Sequence, residues 1–211
     1  LADFGAGAGA AGLAVISRCE GATALLVERA PEMAAFAEAT LAHPANRHLA
    51  GRAAVLRADV TVTGRARAAV GLADNSFDFA IMNPPFNAAV DRATPDALKR
   101  EAHVMEDGLL ESWVRTAAAT VRPRGGLAVI ARPVSLRPLL DALAGRFGNA
   151  QILAVHARPD RPAIRIVVRA RRGARGGLVL HAPLMLHEGP GHRFSTRADA
   201  INNGLAALFA D

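Results

Sequence analysis

The stretch Ile81-Met82-Asn83-Pro84-Pro85-Phe86 ends an apolar run with an amide, two prolines and an aromatic ring. Those residue types suit one task, the orientation of an amine attached to a flat ring. The lone pair of such an exocyclic nitrogen is delocalised into the ring, which makes it a weak nucleophile. Two acceptors that hold its N–H bonds let the nitrogen pyramidalise and expose the pair. The side-chain oxygen of Asn83 is one acceptor and the carbonyl of Pro84 is the other. Pro84 and Pro85 fix φ and keep both aimed. Phe86 offers a face for a base to stack on, worth about 1–3 kcal/mol. A generic Asn-Pro-Pro only turns the chain and buries its aromatic residue, so this reading depends on what stands beside it.

Three more strand ends carry polar groups. "LADF" runs into the turn "DFGAGAG" (3–9), "TALLVE" (23–28) ends on Glu28, and "AVLRADV" (54–60) carries Asp59. Glycines allow positive φ and let backbone N–H groups approach a ligand. Glu28 can take both hydroxyls of a ribose, and Asp59 can accept from an adenine amino group. Asp3 can accept from a ligand amine or anchor the loop. Gly7, Gly9 and Gly12 match the spacing of a dinucleotide fingerprint, with Glu28 as the ribose acid. A nicotinamide cofactor is therefore open, and so is S-adenosylmethionine, whose charged methionine end suits an acid ahead of the glycines.

The elements that must position these groups alternate along the chain. A small-residue helix is predicted over 9–19, with Leu13 and Ile16 on one face. Pro31 opens a second helix, where its missing N–H costs nothing, and Met33, Phe36 and Thr40 or Leu41 mark its buried side. A strand over 76–82 leads to the Asn83 turn. Leu110, Trp113 or Val114, and Ala117 give helical spacing over 109–121. A strand follows over 125–132 after the turn Pro123-Arg124-Gly125, then a helix from Leu136 closed by Gly148. Strands 151–157 and 163–171 have no helix between them, so an antiparallel hairpin is expected to close one sheet edge. This pattern predicts an α/β fold with a doubly wound, mostly parallel seven-stranded sheet and a C-terminal antiparallel hairpin. Ligands bind such sheets outside the C-terminal ends of the strands, where all four motifs fall. Composition turns to Gly and Arg over 173–177. Residues 1–172 are expected to form the main domain. Residues 173–211 form an extension packed on it, with a strand in "LVLHAPLML" and a helix after Ser195-Thr196.

The 211 residues carry 25 Lys+Arg against 19 Asp+Glu, a formal net charge of +6, and Lys99 is the one lysine. Arginine's planar fork suits phosphate recognition, although a GC-rich genome also favours Arg and Ala codons. Arg158, Arg161, Arg165, Arg169, Arg171 and Arg172 lie on or beside the final hairpin, and alternation puts Arg165, Arg169 and Arg171 on one face. Arg92 and Lys99 follow the Asn83 turn. The single cysteine, Cys19, excludes an intrachain disulfide and a cysteine-based zinc site. The histidines show no metal spacing, and no metal is expected. No apolar run spans a bilayer and no signal peptide is visible, so a cytoplasmic location without membrane attachment is expected.

Taken together, "DFGAGAG", Glu28, Asp59 and "NPPF" resemble the class I S-adenosylmethionine-dependent amino-methyltransferases, a Rossmann-like group, over about residues 1–172. Within that group, "NPPFN…TPDALKREAH" and "VHARPDRPAIRIVVRARRG" are similar to the bacterial tRNA (valine) adenine-37 N6-methyltransferases. The resemblance implies cofactor contacts at Asp3, Gly5, Gly7, Glu28 and Asp59, with Asn83 reaching the cofactor as well. It implies target-amine contacts at Asn83, Pro84, Pro85 and Phe86. The family more often carries Tyr where Phe86 stands, and stacking survives that change. It also implies an N-terminal segment over the pocket; the chain begins at Leu1 inside a strand, and such a segment is expected upstream.

The expected reaction is methyl transfer from S-adenosylmethionine to the N6 amine of adenine in RNA, tRNA favoured, with Arg92, Lys99, Arg158 and Arg165 on the RNA. The same turn can orient guanine N2 in rRNA or a protein glutamine amide. Readings of another class are a nicotinamide-dependent oxidoreductase, which leaves "NPPF" unexplained, and a non-catalytic RNA-binding module.

Overall fold

Strand β1 (Ala2–Phe4) is wholly buried and feeds through the glycine turn into helix α1 (Ala10–Arg18). The computed structural model describes residues 1–84, 98–189 and 191–209, with residues 98–107 described by their backbone alone. Strand β2 (Ala24–Glu28) shows how a two-residue period builds two layers. Its Leu25 and Val27 join the core on one side of the sheet, and Ala24 and Leu26 join Leu13 and Ile16 of α1 on the other.

Helix α2 (Pro31–Ala42) opens with proline in its first turn, as expected, but its buried side is Ala34 and Ala37. Met33 and Phe36 are 37% and 60% exposed. Alanines let the helix lie close against β2 and strand β3 (Ala53–Arg57), which leaves no room for the larger side chains between them. Strand β3 stops before Asp59, short of the expected 54–60. Helix α3 (Gly64–Ala69) follows, unannounced by any apolar period. It is tied by buried Arg67, which donates to the Leu72 carbonyl and pairs with Asp74.

Strand β4 (Phe77–Met82) precedes the Asn83 turn, and helix α4 (Leu98–Thr120) begins well upstream of the predicted 109. Its buried stripe is Leu110, Trp113, Val114 and Ala117, as the spacing requires. Strand β5 (Val121–Ala131) starts directly after α4. The expected turn at Pro123-Arg124-Gly125 lies inside it, with Arg124 at φ 67, and the β4–β5 register shifts between Phe77 and Phe79. Helix α5 (Leu136–Leu143) ends before Gly145 at φ 73, not at Gly148. Gly148 belongs to strand β6 (Phe147–His156), where a Cβ would lie 2.2 Å from the Ala174 carbonyl oxygen.

Strand β7 (Ala163–Arg172) runs antiparallel between β5 and β6. With the short strands β8 (Val179–Leu180) and β9 (Leu184–Met185), the order is β3-β2-β1-β4-β5-β7-β6-β8, and β9 also pairs with β6. The hairpin therefore does not close an edge as expected: β7 is interior, and β6 pairs in parallel with β8 and β9. "LVLHAPLML" forms two two-residue strands instead of one, since Pro183 lacks the N–H a continuous ladder needs. Among the described residues the sheet has nine strands against the seven expected, because β8 and β9 join it, and it is otherwise the mostly parallel, doubly wound arrangement predicted. Helix α6 (Thr196–Asn202) is capped by Ser195, whose hydroxyl accepts from the Ala198 N–H at 3.1 Å. Leu184, Ala198 and Phe209 pack on Leu153 and Val155 of β6. Among the described residues, no helix is long and apolar enough to cross a membrane.

The strand order reverses between β1 and β4, the place where this architecture opens a crevice. Phe4 pairs with both Met82 and Val27. Gly5, Asn83 and Glu28, each the next residue along, therefore emerge side by side.

Candidate active site

A cleft of about 260 Å³ opens at that point, and Gly5, Glu28, Asp59 and Asn83 all line it. Four predicted residues from four separated segments thus share one wall. Arg29, Val27, Ala58, Val60, Leu109 and Trp113 complete the lining.

The glycine turn is held by the acids around it. Glu28 is buried, with Oε2 accepting from the Gly7 N–H at 2.9 Å and Oε1 from the Ala30 N–H at 2.8 Å. Each oxygen keeps a lone pair for a further donor. Gly7 lies in the turn and outside the cleft lining. Asp3 also lies outside it. Its Oδ2 accepts from the Gly12 N–H at 2.7 Å, and it is 3% exposed. The structure thus places Asp3 as the anchor between β1 and the first turn of α1. Burial pushes its carboxyl up to about 6; the Gly12 hydrogen bond opposes that and the Glu28 charge adds to it. Gly12 is the close-packing glycine, since a Cβ there would meet Leu26 Cδ2 at 2.5 Å.

Asp59 sits two residues past the end of β3. Its Oδ1 accepts from the Thr61 N–H at 2.8 Å and from the Thr61 hydroxyl at 2.7 Å. Its Oδ2 stands 3.8 Å from Arg29 Nη1, so both groups are held at the mouth of the cleft. Val60 is fixed in turn by Thr116 of α4, whose hydroxyl donates to the Val60 carbonyl at 2.6 Å.

Trp113 is core, as its helical spacing says, and it is also a wall of the cleft. Arg29, Leu109 and Trp113 were not among the predicted site residues. A signal for Trp113 was present, since it is the only tryptophan and lies one helix beyond the Asn83 turn. Arg29 follows Glu28 directly.

Asn83 is exposed on the cleft and Pro84 is buried behind it. Pro85, Phe86 and Arg92 lie outside the described residues, and Lys99 is described by its backbone only. Arg158 is turned to the C-terminal segment, with Nη2 donating to the Gly191 carbonyl at 2.5 Å. Arg165 is exposed on β7, and its Nη1 donates to the Ile164 carbonyl at 2.7 Å.

The donor set fits S-adenosylmethionine. Two carboxylates at neighbouring strand ends can accept from nucleoside hydroxyl and amino groups. Apolar Val27, Ala58, Val60 and Leu109 can flank a base, and Gly5 bears no side chain to narrow the cleft.

A model of the methyltransferase small domain matches residues 1–158. Among solved structures, the chain is similar to a predicted O-methyltransferase of Agrobacterium tumefaciens at 42% identity and a TM-score of 0.85, covering 98% of this chain and 89% of that one. It also resembles an S-adenosylmethionine-dependent O-methyltransferase of Thermotoga maritima (17%, TM-score 0.57, 83% and 59% covered). A third is a tRNA (m1A58) methyltransferase of Aquifex aeolicus (15%, TM-score 0.56, 82% and 62% covered). The last two likenesses show a shared fold. No curated protein matches the chain. The nicotinamide reading gives way to this family, and the cofactor is S-adenosylmethionine. The chain belongs to the methyltransferase small domain family and is an S-adenosylmethionine-dependent methyltransferase.

Proposed function

We propose that the acceptor is an exocyclic ring amine, the N6 of adenine in RNA, with tRNA the favoured RNA. The observation that carries this is Asn83. It lies at the end of β4, in the lining shared by Gly5, Glu28 and Asp59, and begins the sequence Asn-Pro-Pro-Phe. Glu28, Asp59 and the Gly5 backbone hold the cofactor, and Asp3 holds the turn that Gly5 begins. When bound, the cofactor supplies an electrophilic methyl group on a good leaving group. The Asn83 amide oxygen and the Pro84 carbonyl accept hydrogen bonds from the two amine N–H groups and turn the nitrogen lone pair outward, and one of those protons passes to water once the N–C bond has formed. Buried Pro84 stiffens that pair of acceptors. Trp113 and Leu109 exclude water from the cofactor side of the cleft. The net charge of +6 favours a nucleic acid over a protein substrate.

The test is incubation with isotope-labelled S-adenosylmethionine and unmodified pooled tRNA, read by nucleoside mass spectrometry. Labelled N6-methyladenosine is expected. Labelled N2-methylguanosine would keep the chemistry and replace the base. A second reading, an oxygen acceptor, draws on the name of the 42% identical Agrobacterium protein. Label in ribose O-methyl groups, or in hydroxyl compounds of a small-molecule extract, would favour it and overturn the amine.

A further inference from the structure

A second cleft, of about 310 Å³, opens at the opposite end of β4. Arg122, Arg124, Arg169, Arg171, Phe79 and Gln151 are in its lining, and Asp78 is the one acid there among the described residues. Asp78 and Asn83 are five residues apart along the chain, so the two clefts stand about 16 Å from each other.

Arginine on β7 needs a reason. Interior strands of a doubly wound sheet are usually apolar on both faces. Here Ile166, Val168 and Ala170 fill the core on one face, while the other carries Arg165, Arg169 and Arg171 around Val167, which packs with Leu153, Val155 and Phe209. Charges that guard a sheet edge against aggregation do not explain them, because β7 is flanked by β5 and β6. The arginines are also partly pre-set. Arg169 Nε donates to Gln151 Oε1 at 3.0 Å, and its guanidinium lies 4.6 Å from the Phe209 ring centre. Arg122 is steered by Asp78, with 2.7 Å between Nη1 and Oδ1. Phe79 is 37% exposed and rests on Gly126, where a Cβ would lie 2.1 Å from the ring. A side chain at 126 would displace that ring. Four guanidinium groups around one carboxylate and an aromatic ring match phosphates and bases together, where a lone phosphate would leave the ring unused.

We propose that this cleft binds the backbone of a nucleic acid, with Phe79 beneath a base. The inference deepens the reading of RNA as substrate and rests on it for the kind of nucleic acid.

The experiment is fluorescence anisotropy of a labelled single-stranded RNA of about twelve nucleotides, titrated with the whole chain between about 50 and 200 mM salt. The Arg124→Gln/Arg171→Gln double variant is expected to bind about tenfold more weakly at low salt. Its slope of log affinity against log salt should fall by about 1.4, since each phosphate contact on a single strand contributes about 0.7. Phe79→Leu should weaken binding with the slope unchanged. Cofactor affinity should stay at the wild-type value in both, since none of these residues lines the cofactor cleft. Unchanged RNA affinity and slope in the double variant would overturn the proposal. If that variant fails to fold, protection of wild-type arginines from phenylglyoxal by RNA decides instead. Protection of Arg124 and Arg171 upholds the cleft, and equal labelling with and without RNA sinks it. Loss of RNA affinity in the variants without adenine methylation by the wild type would leave this inference standing and remove the substrate. Adenine methylation with unaltered RNA binding in the variants would do the reverse.

Discussion

Trp113 closes over Gly5: a Cβ built on Gly5 would lie 2.4 Å from Trp113 Cη2. Gly5 is the first residue beyond β1, at φ 69, and Trp113 comes from α4, more than a hundred residues later. The absence of a side chain at one strand end thus lets the helix after β4 form a wall of the cleft that Glu28, Asp59 and Asn83 also line.

Gly5→Ala is accordingly expected to lower both stability and cofactor affinity. Left-handed backbone costs an L-residue about 1–2 kcal/mol, and the collision with Trp113 adds to that. Calorimetric titration with S-adenosylmethionine should show at least a tenfold loss, and a lowered melting temperature should accompany it. Adding Trp113→Leu should recover part of the lost stability. Strictly additive losses in the double variant would mean that the two residues do not touch.

Asn83→Ala should abolish methyl transfer and leave cofactor affinity within a few-fold of wild type. In the proposed function its amide is assigned to the amine and the cofactor to Glu28 and Asp59. Single-turnover kinetics and calorimetry on one preparation test this, and normal turnover would remove Asn83 from the mechanism.

Glu28→Gln replaces one acceptor oxygen by an NH2 that must face a backbone N–H, either that of Gly7 or that of Ala30. A buried group left unsatisfied costs about 1–3 kcal/mol. Urea denaturation should show a loss of that size, together with weaker cofactor binding. Unaltered stability would mean that these two hydrogen bonds contribute nothing to holding the turn.

Asp3 sets a pH dependence. Its carboxyl is raised from 3.8 to about 6 in the folded chain, chiefly by burial. Between those values the folded state holds the proton more tightly than the unfolded state. Its stability contribution is therefore largest at low pH, falls as pH rises through that window, and is level above it. The difference is up to about 3 kcal/mol. Asp3→Asn keeps an acceptor for the Gly12 N–H and removes the titration. Relative to that variant, the wild type should gain stability when the pH is lowered from 7 to 5. Parallel curves would show that Asp3 does not titrate there.

The order of strands and helices was legible because it depends on local periods and local breakers. Period two in β2, helical spacing in α4, Pro31 and the Ser195 cap are all properties of neighbouring residues. The ends of β2 and β4 follow from the same signals, so Glu28 and Asn83 are legible there, while Asp59 lies two residues past the end of β3 and Gly5 stands out through the family resemblance of its glycine turn. Only tertiary structure decided what depends on distant partners. Composition favoured Met33 and Phe36 as the buried side of α2, but the close approach of the helix to β2 and β3 selected Ala34 and Ala37. The hairpin was correctly read as antiparallel. Nothing local placed β7 between β5 and β6, because that position comes from hydrogen bonding to residues about forty apart in the chain. That one pairing turned an expected edge into an interior strand and gathered Arg169 and Arg171 with Arg122 and Arg124. The contact of Trp113 with Gly5 is of the same kind, a steric fit between two segments that chain order does not bring together.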